Sequence, residues 1–64
     1  MVIMLPLPPF DIFRVDAPDG MLWIEAAANL DIAKARVAVL MLVMPCEYLI
    51  FSQRTGHRTS IKPT

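Results

Sequence analysis

One segment near the middle of the chain is closed at both ends by strong local signals. Asn29 is a favoured helix N-cap residue, and Asp31 suits the positive end of a helix dipole. Pro45 disfavours helical geometry at the preceding residue, so the helix must end near Met44. Between these signals, apolar residues recur at spacings of three and four. The sequence therefore predicts a helix over residues 30–43, with an inner face formed by Leu30, Ala33, Val37, Leu40, Met41 and Met44.

The segments on both sides of this helix have the composition of β-hairpins. Each holds two stretches rich in aromatic and branched residues, separated by turn-forming residues. The predicted strands are 10–16, 21–26, 47–52 and 57–61, with turns at Pro18-Asp19-Gly20 and at 53–56. The simplest compact arrangement is an α+β fold of ββαββ order, in which one helix packs on one face of a four-stranded antiparallel sheet.

The length of 64 residues allows one small domain, which buries only about 60% of its unfolded surface and is marginally stable. Cys46 is the single cysteine, so a second chain is a more natural source of extra stability than a disulfide. Three prolines interrupt residues 1–9, which are predicted to form a disordered lead before a domain at 10–62. The apolar run 37–44 is too short to span a bilayer, and the lead is unlike a signal peptide, so a cytoplasmic protein is expected.

A series of short motifs runs along the chain from about Phe10 to Ile61. It includes Asp19, Gly20, Trp23, Leu30, Ala33, Ala35, Arg36, Val37, Pro45, Glu47, Tyr48, Ile50, Phe51, Thr55 and Gly56. This order of motifs resembles a set of short bacterial proteins without a known activity, which have a tryptophan strand, an Ala/Glu/Arg-rich helix, and a Pro-Gly-Glu-Tyr strand that ends in a Thr-Gly turn. The resemblance implies the fold and no activity. Cys46 departs from it, because it stands where those proteins carry glycine after the helix.

The outer side of the predicted helix is unusually apolar from Val37 onward. Val39, Leu42 and Val43 form an outward stripe, and Ile32 also stands where a solvated helix would carry a polar residue. Three interpretations stay open: a surface for self-association or a partner, a lipophilic variant with no use for the stripe, and contact with a membrane surface. Membrane contact is the least favoured, because Lys34 and Arg36 leave no basic belt beside the stripe.

Charge divides unevenly along the chain although the formal net charge is zero. Residues 1–32 hold five acids and one base, whereas residues 33–64 hold five bases and one acid. The last hairpin carries a small basic set that could contact phosphate: Arg54, His57, Arg58 and Lys62. Trp23 and Tyr48 would add stacking platforms if they emerged on the open face of the sheet. Trp23 is predicted to anchor the core, because it has the largest apolar side chain available to so small a domain. The basic residues have a structural interpretation as well, since polar edge strands often carry Lys or Arg to deter aggregation.

Other chemistry-bearing residues give little support for catalysis or a cofactor. Cys46 and His57 are the one nucleophile and base pair worth testing, but an extended stretch separates them beyond hydrogen-bond reach. They are also too few for a zinc site, and the methionines are interpreted as flexible core filler. No enzyme activity, metal or cofactor is expected. The sequence predicts a small binding or assembly module, most simply a homodimer formed through the stripe of Val39, Leu42 and Val43, with a nucleic-acid-associated accessory domain as the alternative.

Overall fold

In the described part of the chain, four antiparallel strands and one helix form the α+β fold that the sequence predicts. The computed structural model describes residues 8–16 and 20–63. In chain order the elements are β1 (Phe10–Asp16), β2 (Gly20–Ala27), α1 (Leu30–Val43), β3 (Tyr48–Ser52) and β4 (Arg58–Ile61). The strand order in the sheet is β2-β1-β3-β4, so β1 and β3 are central and β2 and β4 form the edges.

The predicted strand boundaries differ from the observed ones by one residue at most. β2 extends one residue further at each end than predicted, and β3 and β4 each begin one residue later. The predicted turn at Pro18-Asp19-Gly20 lies outside the described residues except for Gly20, which begins β2. The turn at 53–56 is confirmed: Gly56 has φ +74°, and its N–H donates to the Ser52 carbonyl at 2.8 Å. Glycine is favoured there because other residues rarely adopt positive φ.

The predicted lead lies mostly outside the described residues, which begin at Pro8. At its end, the Pro9 carbonyl accepts a hydrogen bond from the Gln53 N–H at 2.9 Å. This bond continues the β1–β3 ladder one residue beyond the predicted start of the domain at residue 10.

Both predicted helix ends are confirmed. Asn29 has an extended backbone, and its side-chain oxygen accepts a hydrogen bond from the Ile32 N–H at 2.8 Å. At the other end, Met44 is also extended (φ −138°, ψ 96°), as expected before Pro45. The assignment of Met44 to the buried inner face is wrong, because Met44 lies beyond the last helical residue and is 47% exposed, with its sulfur 3.0 Å from an Arg14 guanidinium nitrogen.

Replacing Asn29 with alanine is expected to lower the free energy of unfolding by about 1 kcal/mol, because the Ile32 N–H loses its side-chain acceptor. Asn29→Ser is the matched control, since serine keeps an acceptor oxygen at the cap and should stay close to the wild type. Urea denaturation measures both. An equal loss in the two variants would show that the cap bond does not stabilise the helix.

The core lies between α1 and the helix-facing side of the central strands. Its buried apolar side chains are Ile12, Ala27, Ala33, Val37, Tyr48 and Ile50. The Tyr48 hydroxyl donates toward the carbonyls of Met44 (2.9 Å) and Leu40 (3.3 Å). Strand β3 therefore supplies a hydrogen-bond donor to carbonyl groups at the end of the helix. Because the helix covers one face only, the described part of the chain places no second layer on the other face.

Candidate interaction surfaces

The helix stripe predicted from the sequence, Val39, Leu42 and Val43, points away from the sheet. Leu42 is 85% exposed, Val43 82% and Val39 49%, and Ile32 on the same helix is also exposed. The inner residues Ala33 and Val37 are buried, so the division into inner and outer faces holds for the middle of the helix. The structure thus brings the three predicted residues together as an apolar surface.

A second apolar surface covers the sheet face opposite the helix, here called the open face. Successive side chains of a strand point to opposite faces, and residues paired across antiparallel strands share a face. Since Ile12 and Ile50 face the helix, their strand neighbours face the other way. The apolar side chains of the open face are Phe13, Val15, Met21, Trp23, Leu49 and Phe51.

Contacts across the open face confirm that these residues form one surface. Phe13 lies opposite Trp23 on β2 and opposite Leu49 on β3, giving an apolar row across three strands. A shallow groove of about 200 Å³ crosses this row and is lined by Phe13, Met21, Leu49, Phe51 and Arg58. The open face therefore combines aromatic area with a depression at its centre.

The prediction that Trp23 anchors the core is wrong. Its side chain lies on the open face and is 55% exposed, while its indole N–H donates to the Asp11 carboxylate at 3.1 Å. Asp11 also accepts a bond of 2.7 Å from the Gln53 side chain. A bulge between Ile12 and Phe13 shifts the β1–β2 register beside this site. Tyr48 is buried against the helix, so it is not a stacking platform on the open face.

The basic hairpin set is divided between two ends of β4. Arg54 and His57 belong to the turn before β4, Arg58 begins the strand, and all three are exposed. Lys62 follows the strand at its opposite end, where it lines a different groove together with Lys34 and Pro63. The structure thus does not gather the four predicted residues into one patch: His57 lines a groove on the helix side of the sheet, whereas Arg58 borders the open face.

Within the described residues, two ion pairs engage arginines, and the pair between Arg36 and Glu25 connects the basic half of the chain to the acidic half. Arg36 on the helix binds Glu25 on β2 at 3.0 Å, and hydrogen bonding to this carboxylate raises the pKa of Arg36 above its ordinary value. Arg14 pairs with Asp16 at 3.1 Å, and the same effect raises the pKa of Arg14. Because both pairs are exposed to solvent, they add little to the stability of the fold. Their main consequence is that two arginines and two carboxylates are already paired and are less available to a binding partner.

A third depression, of about 240 Å³, lies between the start of the helix and the β3–β4 turn. Phe10, Leu30 and Ile50 provide its apolar wall, and Ser52 and His57 border it. The buried Ser52 oxygen accepts a hydrogen bond from the Thr55 N–H at 3.4 Å, so it is already engaged within the turn. The volume is below the range of roughly 300–1,000 Å³ that is usual for small-molecule sites.

The residues considered for catalysis lie at opposite ends of β3. Cys46 precedes the strand and is half-buried, whereas His57 follows the turn after it and is exposed. Within residues 8–16 and 20–63, no three His, Cys, Asp or Glu side chains are grouped so that they could hold a metal ion. The same part of the chain has no helix long and apolar enough to cross a membrane.

Comparisons with protein-family models, with curated proteins and with solved structures give no match for this chain. The resemblance to short bacterial proteins stays a prediction, as do the bacterial origin and the cytoplasmic location.

Proposed function

We propose that this protein is a small assembly module that binds a second copy of itself through the open face of its sheet. The observation that carries the proposal is the row of apolar side chains on that face, opposite the side covered by the helix. Stable domains bury each apolar sheet face against another layer. A second copy supplies that layer and produces a helix–sheet–sheet–helix sandwich.

The size of the open face suits such an interface. Four strands at about 4.8 Å and about five residues at about 3.3 Å give a flat footprint of roughly 320 Å². Side-chain relief adds to this value, and a biological interface needs on the order of 500 Å² per partner. Exposed apolar patches of this size on small proteins commonly mark contact sites.

Charge also favours a second copy as the partner. The zero net charge removes overall repulsion between copies. A two-fold axis in the interface, parallel to the strands, places β2 and β1 of one copy over β4 and β3 of the other. Phe13 then faces Leu49 of the second copy, and Arg58 comes beside the Asp11 carboxylate across the interface. The arrangement pairs opposite charges at the border of an apolar centre.

The helix stripe is the alternative surface for self-association. Leu42 and Val43 are more exposed than any apolar residue of the open face, but the stripe contains no aromatic side chain and covers only one end of the helix. Burial of each stripe residue would contribute roughly 1.5–3 kcal/mol. Matched variants can separate the two surfaces.

The test compares sedimentation of the wild type with two double variants that leave the net charge unchanged. Leu49→Glu with Phe51→Lys alters the open face, and Leu42→Glu with Val43→Lys alters the helix stripe. We expect a wild-type dimer or larger species, and a rise of about 100-fold or more in the dissociation constant of the open-face variant, because its charges are desolvated on association. The stripe variant should stay assembled.

Each other outcome identifies an error in the proposal. A monomeric stripe variant beside an assembled open-face variant would move the interface to the helix. A wild type that is monomeric at high protein concentration would contradict self-association altogether. Circular dichroism and urea denaturation confirm that both variants keep the monomer fold.

The second candidate function is contact with nucleic acid through the basic hairpin set. The observation in its favour is that Arg58 lies directly opposite Phe51 and borders the same face as the exposed Trp23, so a cation and aromatic rings share one surface. Binding to a labelled oligonucleotide should then fall steeply as salt rises. Apolar self-association should persist at the same salt concentrations, which separates the two functions.

A further inference from the structure

The two edges of the sheet differ in how far they are protected against pairing with another strand. β4 has four residues, begins with Arg58 and is followed by Lys62 and Pro63, which are typical of a protected edge. β2 has eight residues, no proline and no lysine. Its single charged residue, Glu25, is bound to Arg36 on the helix. Within residues 8–16 and 20–63, β2 is therefore the edge that is open to a further strand.

The hydrogen bonds of β1 show which β2 backbone groups face outward. The Val15 N–H donates to the Glu47 carbonyl on the β3 side. Because the backbone groups of successive residues alternate between the two edges of a strand, Arg14 must face β2, where its partner is Leu22. Leu22 thus faces β1, and its neighbours Met21 and Trp23 direct their N–H and C=O groups to the free edge.

The side chains of the same two residues are also exposed. Met21 is 58% exposed and Trp23 55%, and Leu22 between them is half-exposed on the other face of the strand. The first half of β2 therefore offers backbone groups at its edge and apolar side chains on both faces. The bulge pairs Phe13 with Trp23 and Ile12 with Glu25, so Ile24 is the extra residue and the regular run ends at Trp23.

We propose that β2 pairs antiparallel with β2 of a second copy about a two-fold axis at Leu22. Met21 then lies opposite Trp23 of the second copy, and each such pair exchanges both of its N–H···O bonds. This arrangement is self-complementary, because the outward-facing residues stand at equal distances on either side of the axis. No charged residue lies within residues 20–24, so the paired stretch itself opposes no like charges.

The side chains fit the same register. Leu22 meets Leu22 of the second copy on the helix-facing side, where closely spaced pairs bring side chains together. On the open face, the Met21 thioether lies beside the Trp23 ring of the second copy, a favourable sulfur–aromatic contact.

The edge contact rests on the proposed function for the identity of its partner, a second copy of the chain, but it uses backbone groups at the β2 edge and not the open face. In the face-to-face arrangement, the β2 strands of the two copies lie at opposite ends of the sandwich, so both contacts together extend into an open ribbon of copies.

Amide hydrogen exchange tests the edge contact directly. In the monomer, the Met21 and Trp23 amides face solvent and should exchange fast, whereas the Leu22 amide is protected by β1. In the assembled wild type, we expect Met21 and Trp23 to become protected and to lose that protection on dilution. Fast exchange at both positions in an assembled sample would overturn the edge contact and leave the proposed self-association standing.

Met21→Pro and Met21→Ala form the matched pair of variants. Both remove the thioether, but only proline removes the N–H that bonds to the second copy, and this N–H has no role in the β1–β2 ladder. We expect Met21→Pro to raise the dissociation constant of the edge contact about 30-fold or more over that of Met21→Ala. Equal constants would contradict the proposal. Protected amides in the Leu49→Glu, Phe51→Lys variant would show that the edge pairs even if the open-face proposal fails.

Discussion

Replacing Ile12 with alanine is expected to remove about 2–5 kcal/mol from the free energy of unfolding. Ile12 is fully buried on a central strand, with Ile50 opposite on β3 and Glu25 opposite on β2. The substitution therefore deletes apolar contacts and leaves a cavity that paired strands on both sides cannot easily close. A domain of this size has a total stability of roughly 3–10 kcal/mol, so much of the variant should be unfolded.

Ile32→Ala is the control, because it makes the same chemical change at an exposed helix position. It should alter the stability by no more than about 0.5 kcal/mol, since little buried area is lost and alanine favours the helix. Urea denaturation followed by circular dichroism measures both variants. Similar losses at the two positions would show that the core does not lie between the helix and the sheet.

The contrast between these two isoleucines shows what the sequence could predict. Helix boundaries depend on local chemistry: the Asn29 side chain caps one end, and Pro45 restricts its neighbour at the other. The spacing of apolar residues then separates Ala33 and Val37 from the outer Ile32 and Val39. Neither signal requires knowledge of distant contacts, and both predictions are confirmed.

The open face was missed because its strands lack the alternation that identifies a solvated side. From Tyr48 to Phe51, the β3 residues that face the helix and those that face away from it are all apolar. In β1, Phe13 and Val15 likewise place apolar side chains on the face away from the helix. Such runs are typical of strands buried on both faces, so the signal for a second covered face was present in the sequence. The bulge that shifts Trp23 relative to β1 depends on strand pairing and has no comparable local signal.

The buried Tyr48 of β3 should make the free energy of unfolding depend on pH in the alkaline range. Burial raises the pKa of Tyr48, the neighbouring Cys46 side chain adds to the increase, and Arg14 opposes it. The hydroxyl proton is also needed to donate to the Met44 carbonyl at the end of the helix. Deprotonation would place a buried negative charge beside two carbonyl oxygens, so the folded state favours the protonated phenol.

The sign of the pH effect follows from this raised pKa. An unfolded tyrosine has a pKa of about 10, so below that pH both states are protonated and the contribution is fully present. As the pH rises above the unfolded pKa toward the folded one, the unfolded state loses its proton first. The free energy of unfolding should then fall by up to about 1.4 kcal/mol per pH unit.

Tyr48→Phe separates this effect from the titration of other groups. At neutral pH the variant should be less stable by about 1–2 kcal/mol, because the Met44 carbonyl loses its donor while the ring still fills the core. Above about pH 10 its stability should fall less steeply than that of the wild type, and the two curves should converge. If urea denaturation gives parallel curves of unfolding free energy against pH for the two proteins, the Tyr48 pKa is the same in the folded and unfolded states. The contact between β3 and the helix end would then not favour the protonated hydroxyl.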